Sequence, residues 1–252
     1  MKMRLVSGAG SEKTGACWMS ALHWYTRNGK TWTDQPDCVS PVIRGLCINL
    51  NDTLRSDAER EEVIGPHLFE PVGTNTTAED ERTRYAICVD RTVHVFTPFW
   101  LRKTGEPKLI AHAEALEALP RIVTREDAKN ALPILDKMRK DAYAYVSAYA
   151  YAYAYVSADV SAYASADVSA DVSAYAYVSA YAYAYAYVSA DVSAYVSAYA
   201  YRQMTEAEQV WFKREIIRLI LDLCAVGRKP EADVAVKSRG ECLEFLCSLD
   251  KK

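Results

Sequence analysis

Apolar side chains recur at helical spacing through most of residues 1–140. The first such run is Ala16-Cys17-Trp18-Met19-Ser20-Ala21-Leu22-His23-Trp24-Tyr25, and Asn28-Gly29 stops it. Ser40 predicts the cap of a second helix through Val42, Ile43, Leu46, Cys47 and Leu50, with Pro41 at its favoured first position. Ser56-Asp57-Ala58-Glu59 is a capping box ahead of Val63 and Ile64, Gly65-Pro66 breaks that helix, and 67–77 reads as a loop. Residues 81–102 are helical in part, but the β-branched run Thr92-Val93-His94-Val95-Phe96 also suits a strand. A helix over 109–119 ends at Pro120. Thr124-Arg125-Glu126-Asp127 opens another through Leu132, Ile134, Leu135 and Met138, with Pro133 standing against the pattern.

Near the C-terminus Thr205-Glu206-Ala207-Glu208 forms a capping box before an apolar helix over 210–226, closed by Gly227 and Pro230. Trp211, Phe212, Ile216, Ile217, Leu219, Ile220, Leu221, Leu223 and Cys224 wrap most of that helix. Such breadth predicts burial against a sizeable body, either the N-terminal domain or a second copy. A short helix over 240–249, carrying Cys242, Leu243, Phe245, Leu246 and Cys247, completes a C-terminal helical hairpin.

Between these segments the period changes to two. From Ala142 to Tyr201 every even position is Ala or Val, and every odd one is Tyr, Ser or Asp. Residues 142–163 recur unchanged at 174–195, as duplication of a DNA repeat would produce. Strict alternation is the pattern of a strand, yet one strand of this length would run about 200 Å at roughly 3.3 Å per residue. No Gly, Pro or Asn is present to turn it, so a β reading needs a solenoid or hairpins with poor turn chemistry. Alanine favours a helix, about 90 Å long, with tyrosines on every side. An extended helix is preferred here, with a β-solenoid or disorder as alternatives. The fold class is thus mainly α, with a helix-rich domain at 1–140, the alternating tract at 141–202 and a helical segment at 203–252.

Composition sharpens the picture through its unevenness. Sixteen of the 18 tyrosines lie between Tyr143 and Tyr201, and all 30 Lys and Arg residues lie outside 141–201. A tyrosine series suits stacking on single-stranded nucleic acid, but that also requires a positive groove, and this tract holds four Asp and no cation. No nucleic acid is expected as a partner. The overall charge of −3 gives no pull toward anionic membranes, and no run of about 18 apolar residues spans one. The tract reads as a spacer or as a self-association segment, with residues 141–202 as its contact surface. Seven cysteines and no apolar leader predict reduced thiols in a cytoplasmic protein.

The N-terminal half resembles a group of phage and bacterial proteins. The matching blocks are Leu5-Val6-Ser7-Gly8-Ala9-Gly10, Thr14-Gly15-Ala16-Cys17-Trp18-Met19-Ser20-Ala21-Leu22, Trp32-Thr33-Asp34, and Pro41-Val42-Ile43-Arg44 with Leu46-Cys47-Ile48. Val63-Ile64-Gly65-Pro66-His67-Leu68-Phe69 and Pro71-Val72-Gly73-Thr74-Asn75-Thr76 follow. Members of that look carry an Ala-rich tract downstream and a helix ending as Leu223-Cys224-Ala225 does here. The resemblance implies no activity.

Three patterns invite a chemical reading. Gly15-Ala16-Cys17-Trp18 is similar to the nucleophile region of papain-like cysteine peptidases, and a helix N-terminus favours a thiolate. Such an enzyme needs a histidine, for which His67, His94 and His112 are candidates, with Asn75, Asp90 or Asn130 to orient it. No oxyanion-hole Gln is recognisable upstream, and the bland alternative is a small buried hydrophobe. Cys17, His23, Cys38 and Cys47 are candidate metal ligands, but no Cys-x-x-Cys occurs and no metal is expected. The run from Gly8 to Gly15 invites comparison with a phosphate loop, but Glu12 stands where a Walker loop needs Gly before Lys13. It reads as a turn, and no cofactor is expected. The resulting expectation is a non-catalytic structural or interaction protein, with a Cys17 hydrolase as the alternative.

Overall fold

A computed structural model of the chain describes residues 4–8, 10–11, 13–27, 29, 31–143 and 204–228. Nearly all of the alternating tract, and the expected helix at 240–249 with Cys242 and Cys247, lie outside the described residues. Of the described residues 67% are helical, so the protein is mainly α. They fall into two compact units. The first comprises residues up to Glu81 together with those from Glu206 onward, and the second begins at Arg82. The division lies inside the 1–140 segment that the sequence pattern treats as one domain.

The first unit opens with a small antiparallel hairpin of β1 (Gly10–Ser11) and β2 (Gly15–Ala16). Leu5 bridges alongside Ala16, and Ala16 exchanges hydrogen bonds of 2.9 Å with Arg4 and Val6. Gly15 has φ +107°, and a Cβ there would stand 2.6 Å from the Arg4 carbonyl, so only glycine lets the chains approach this closely. Helix α1 (Trp18–Thr26) follows at once, then α2 (Pro41–Thr53) and α3 (Asp57–Ile64). The expected caps form: Ser40 Oγ accepts from the Ile43 amide at 3.4 Å, and Ser56 Oγ accepts from that of Glu59 at 3.1 Å. The Glu59 carboxylate reaches back to the Arg55 amide at 2.7 Å, one residue beyond a standard capping box. Helix α3 ends at Ile64, ahead of Gly65-Pro66 as expected, and Gly65–His67 follow as one 3-10 turn.

Buried polar groups tie this unit together. Asn51 is fully buried: its Oδ1 accepts from the Trp18 amide at 3.2 Å, and its Nδ2 donates to the Val6 carbonyl at 3.0 Å. Arg60 donates to the Asn51 and Leu54 carbonyls at 2.8 and 2.6 Å, placing a cation where the α2 dipole is negative. Ser40 Oγ, besides capping α2, donates to Glu81 at 2.9 Å.

The long helix after the tract, called α8 below (Glu206–Ala225), belongs to this unit and packs on α2. Its buried stripe is Glu215, Leu219, Ile220, Leu223 and Cys224, which is narrower than the apolar wrap of the sequence suggests. Trp211, Phe212, Ile216, Ile217 and Leu221 are only half-buried, and Val210 is exposed. Lys213 pairs with Glu59 at 2.9 Å, and Arg228 with Glu70 at 3.1 Å. Gly227 ends the helix at φ +64°, and a Cβ there would meet the Asp80 carboxylate at 2.4 Å.

The boundary between the units falls within α4 (Ala78–Arg91). In the second unit the run Thr92–Phe96 is a π-helical turn, so the strand alternative for those residues is overturned. Pro98, near the start of α5 (Thr97–Lys103), supplies the reason. A proline ring clashes with the carbonyl four residues back and offers no N–H, and widening the preceding turn relieves both problems. The Thr97 amide accordingly reaches the Thr92 carbonyl, five residues back. The Thr92 hydroxyl takes the Cys88 carbonyl at 2.8 Å, and His94 Nδ1 meets that of Asp90 at 3.0 Å.

Helices α6 (Pro107–Glu117) and α7 (Arg125–Tyr143) follow, the last helices of this unit among the described residues. Thr124 and Asp127 cap α7 reciprocally: the Asp127 carboxylate accepts from the Thr124 amide at 2.8 Å, and the Asp127 amide donates back to Thr124 Oγ1 at 3.2 Å. The helix passes through Pro133, which lies on its exposed face, where water can take the carbonyl that the proline leaves without a donor. The core here is one apolar cluster that includes Val93, Leu101, Leu109, Leu116, Ile122, Leu135 and Met138.

Candidate functional site

Cys17 is the side chain on which an enzymatic reading turns, and the structure makes it the N-cap of α1. Its Sγ accepts from the Ser20 amide at 3.4 Å and donates to Ser20 Oγ at 3.3 Å. The expected position at a helix start is therefore correct. Burial opposes the activation that such a position offers. Cys17 is 3% exposed, and burial pushes its thiol above the ordinary range. The hydrogen bonds with Ser20 pull the other way but do not outweigh it, and the charge of Asp34 adds to the rise. A helix terminus acts on a sulfur with tenths of its charge, whereas desolvation acts on the whole anion, so the neutral thiol wins.

The histidines expected to serve Cys17 are distributed through both units. His67 lies in the 3-10 turn of the first unit. His94 and His112 lie in the second, and each is engaged in holding that unit together. His94 uses both ring nitrogens: Nδ1 lies 3.0 Å from the Asp90 carbonyl and 3.1 Å from its Oδ1, and Nε2 lies 3.0 Å from the Leu119 carbonyl. Asp90, the expected orienter, also accepts from the Ile122 amide at 2.7 Å. The pair thus ties the π-turn to the link between α6 and α7. His112 Nε2 lies 2.8 Å from Asp141 Oδ2, joining α6 to α7. That bond holds the Asp141 carboxyl below the usual range. Asn75 donates from Nδ2 to the Asp37 carbonyl at 2.8 Å. Asn130 is exposed on α7.

Of the candidate metal ligands, His23 Nε2 lies 2.7 Å from Thr31 Oγ1, and burial pushes its imidazole below the ordinary range, helped by Arg27. Cys38 is half-buried and its thiol is raised, first by burial. Cys47 is fully buried and its thiol is raised well above the ordinary range, again by burial first. Among the described residues no group of three or more His, Cys, Asp or Glu side chains is placed to hold a metal ion. In the loop from Gly8 to Gly15 the Gly8 amide donates to Asp52 Oδ1 at 3.1 Å, and Ser7 Oγ donates to the same oxygen at 3.2 Å. These bonds tie the start of the loop to the end of α2.

Sequence reasoning missed several features. The nitrogens His23 Nδ1, Trp24 Nε1 and Trp32 Nε1 are buried with no hydrogen-bond partner among the described residues. The charges of Cys224 and Cys17 add to the rise of the Cys47 thiol after burial, and no spacing in the chain announces that influence. No helix among the described residues is long and apolar enough to cross a membrane. Comparison with family models, with curated proteins and with solved structures gives no match, so the chemistry of this chain rests on its own geometry.

Proposed function

We propose that the protein is a non-catalytic structural or interaction component, whose tract over 141–202 acts as a spacer or self-association segment. The observation that carries the non-catalytic part is the state of Cys17. The best-placed nucleophile of the sequence is buried, bonded to its own helix, and shifted toward the neutral thiol. A hydrolase built on it would need an accessible thiolate. The tract supports the rest of the reading, since strict alternation over 142–201 without a single Lys or Arg suits contact with another copy better than contact with a polyanion.

The deciding experiment is the pH dependence of Cys17 alkylation in the native protein, with Cys17→Ser as control. Slow labelling, or labelling only after denaturation, is expected. Fast labelling that persists well below neutral pH would overturn the reading in favour of the Cys17 hydrolase, with His67, His94 and His112 then tested as its base. For the tract, sedimentation of the full chain against a deletion of 144–203 is expected to show concentration-dependent association only when the tract is present.

A further inference from the structure

His94 sits in the π-helical turn with oxygen on both sides of its ring. Nδ1 lies 3.0 Å from the Asp90 carbonyl and 3.1 Å from Asp90 Oδ1, and Nε2 lies 3.0 Å from the Leu119 carbonyl. A peptide carbonyl only accepts, and Asp90 Oδ1 already accepts from the Ile122 amide at 2.7 Å. A neutral imidazole has one N–H and one lone pair. It can serve one of these sides, and it then turns its lone pair on the oxygen of the other. Only a ring with both N–H groups satisfies both sides.

Asp90 is the carboxylate within hydrogen-bond distance of the ring. Arg121 Nε lies 3.7 Å from the other oxygen of Asp90, on a side chain that is itself 76% exposed. The charged side chains of α5 and α6, which pack on the π-turn, are Arg102, Lys103, Lys108, His112, Glu114 and Glu117. Of these, Arg102 pairs with Glu117, and His112 with Asp141 of α7.

We infer that His94 is a pH-sensitive clamp. With both protons it fastens the π-turn to the link between α6 and α7, and with one it lets the Leu119 side go. The proton lost is that on Nε2, because Nδ1 faces a carboxylate as well as a carbonyl and holds its proton more firmly. It passes to solvent, which reaches a ring whose side chain is 17% exposed. The bare lone pair then stands against the Leu119 carbonyl, while the Asp90–Ile122 bond stays. A bond that needs the extra proton stabilises the fold at acid pH and is lost as pH rises.

The test uses nuclear magnetic resonance of the full chain with ¹⁵N-labelled histidine rings, and His94→Gln to assign the His94 signals. Both nitrogens of His94 should carry protons at about pH 5.5, below the ordinary imidazole range. At about pH 8 the proton should remain on Nδ1, the reverse of the tautomer that a free imidazole prefers. Amide exchange, corrected for the intrinsic effect of pH, gives a second readout. Protection over residues 118–124 should fall about tenfold between those pH values, as loss of one charged hydrogen bond implies, and should stay level in His94→Gln. If that variant does not fold, His23→Gln, His67→Gln and His112→Gln assign the fourth histidine by elimination. A single ring proton at about pH 5.5, or an Nε2–H tautomer at about pH 8, would overturn the inference. So would a link whose protection does not change with pH.

Discussion

The two units are built on opposite terms. Residues 1–81 and 206–252 together carry 17 basic and 21 acidic side chains, whereas residues 82–205 carry 13 basic and 12 acidic. The first unit uses buried polar groups as its fasteners: Asn51 between the first strand region and α1, Arg60 over the end of α2, and Ser40 between Thr74 and Glu81. The second is built on one continuous apolar cluster, with the His94–Asp90 and His112–Asp141 pairs joining its elements. Polar fasteners specify one arrangement and fail abruptly when one partner goes. An apolar cluster fails in proportion to the volume removed.

The largest effect is expected from Asn51→Ala. It leaves the Trp18 amide and the Val6 carbonyl without their partner, at about 1–3 kcal/mol for each buried group, so a loss of about 4 kcal/mol should appear in denaturant unfolding. Hydrogen exchange should place that loss in residues 4–81 and 206–228. A uniform loss across both units would show that they unfold as one and would break the contrast. Leu116→Ala should come next. It opens a cavity in the second unit at about 3 kcal/mol, with the loss of protection confined to 82–143. The smallest effect should come from pH. The His112 bond holds Asp141 below the usual carboxylate range, so its contribution is present above about pH 4 and fades as pH falls through the lowered value. Asp141→Asn should flatten the acid limb of the second unit's melting curve. An unchanged acid limb would show that the bond adds nothing in solution.

What the sequence reveals follows the range of the interaction. Ser40 with Pro41, Ser56 with Glu59, Thr124 with Asp127, and Gly227 are legible because a cap is decided by residues within one turn. The π-turn at Thr92–Phe96 is not, because β-branched preference and the demand of Pro98 point in different directions, and the helix on either side settles the contest. The environment of Cys17 is likewise hidden. The helix start that should activate it is visible in the chain, but the burial that cancels the effect depends on residues far away in sequence. The breadth of α8 misleads for the same reason: hydrophobicity tells which side chains can be buried, and only the partner helix decides which ones are.

Gly227 fixes the length at which α8 ends. The position is closed twice, by a handedness that favours glycine and by an Asp80 carboxylate that leaves no space for a Cβ. Asparagine, which tolerates the handedness, still fails on volume. The end of α8 is therefore a gauge. Insertion or deletion of one residue within 206–225 would bring a different side chain against Asp80, and the helix could regain its fit only by sliding out of register with α2. Tolerance to changes of length should accordingly be low on this side of the tract, whatever number of repeats the tract itself contains.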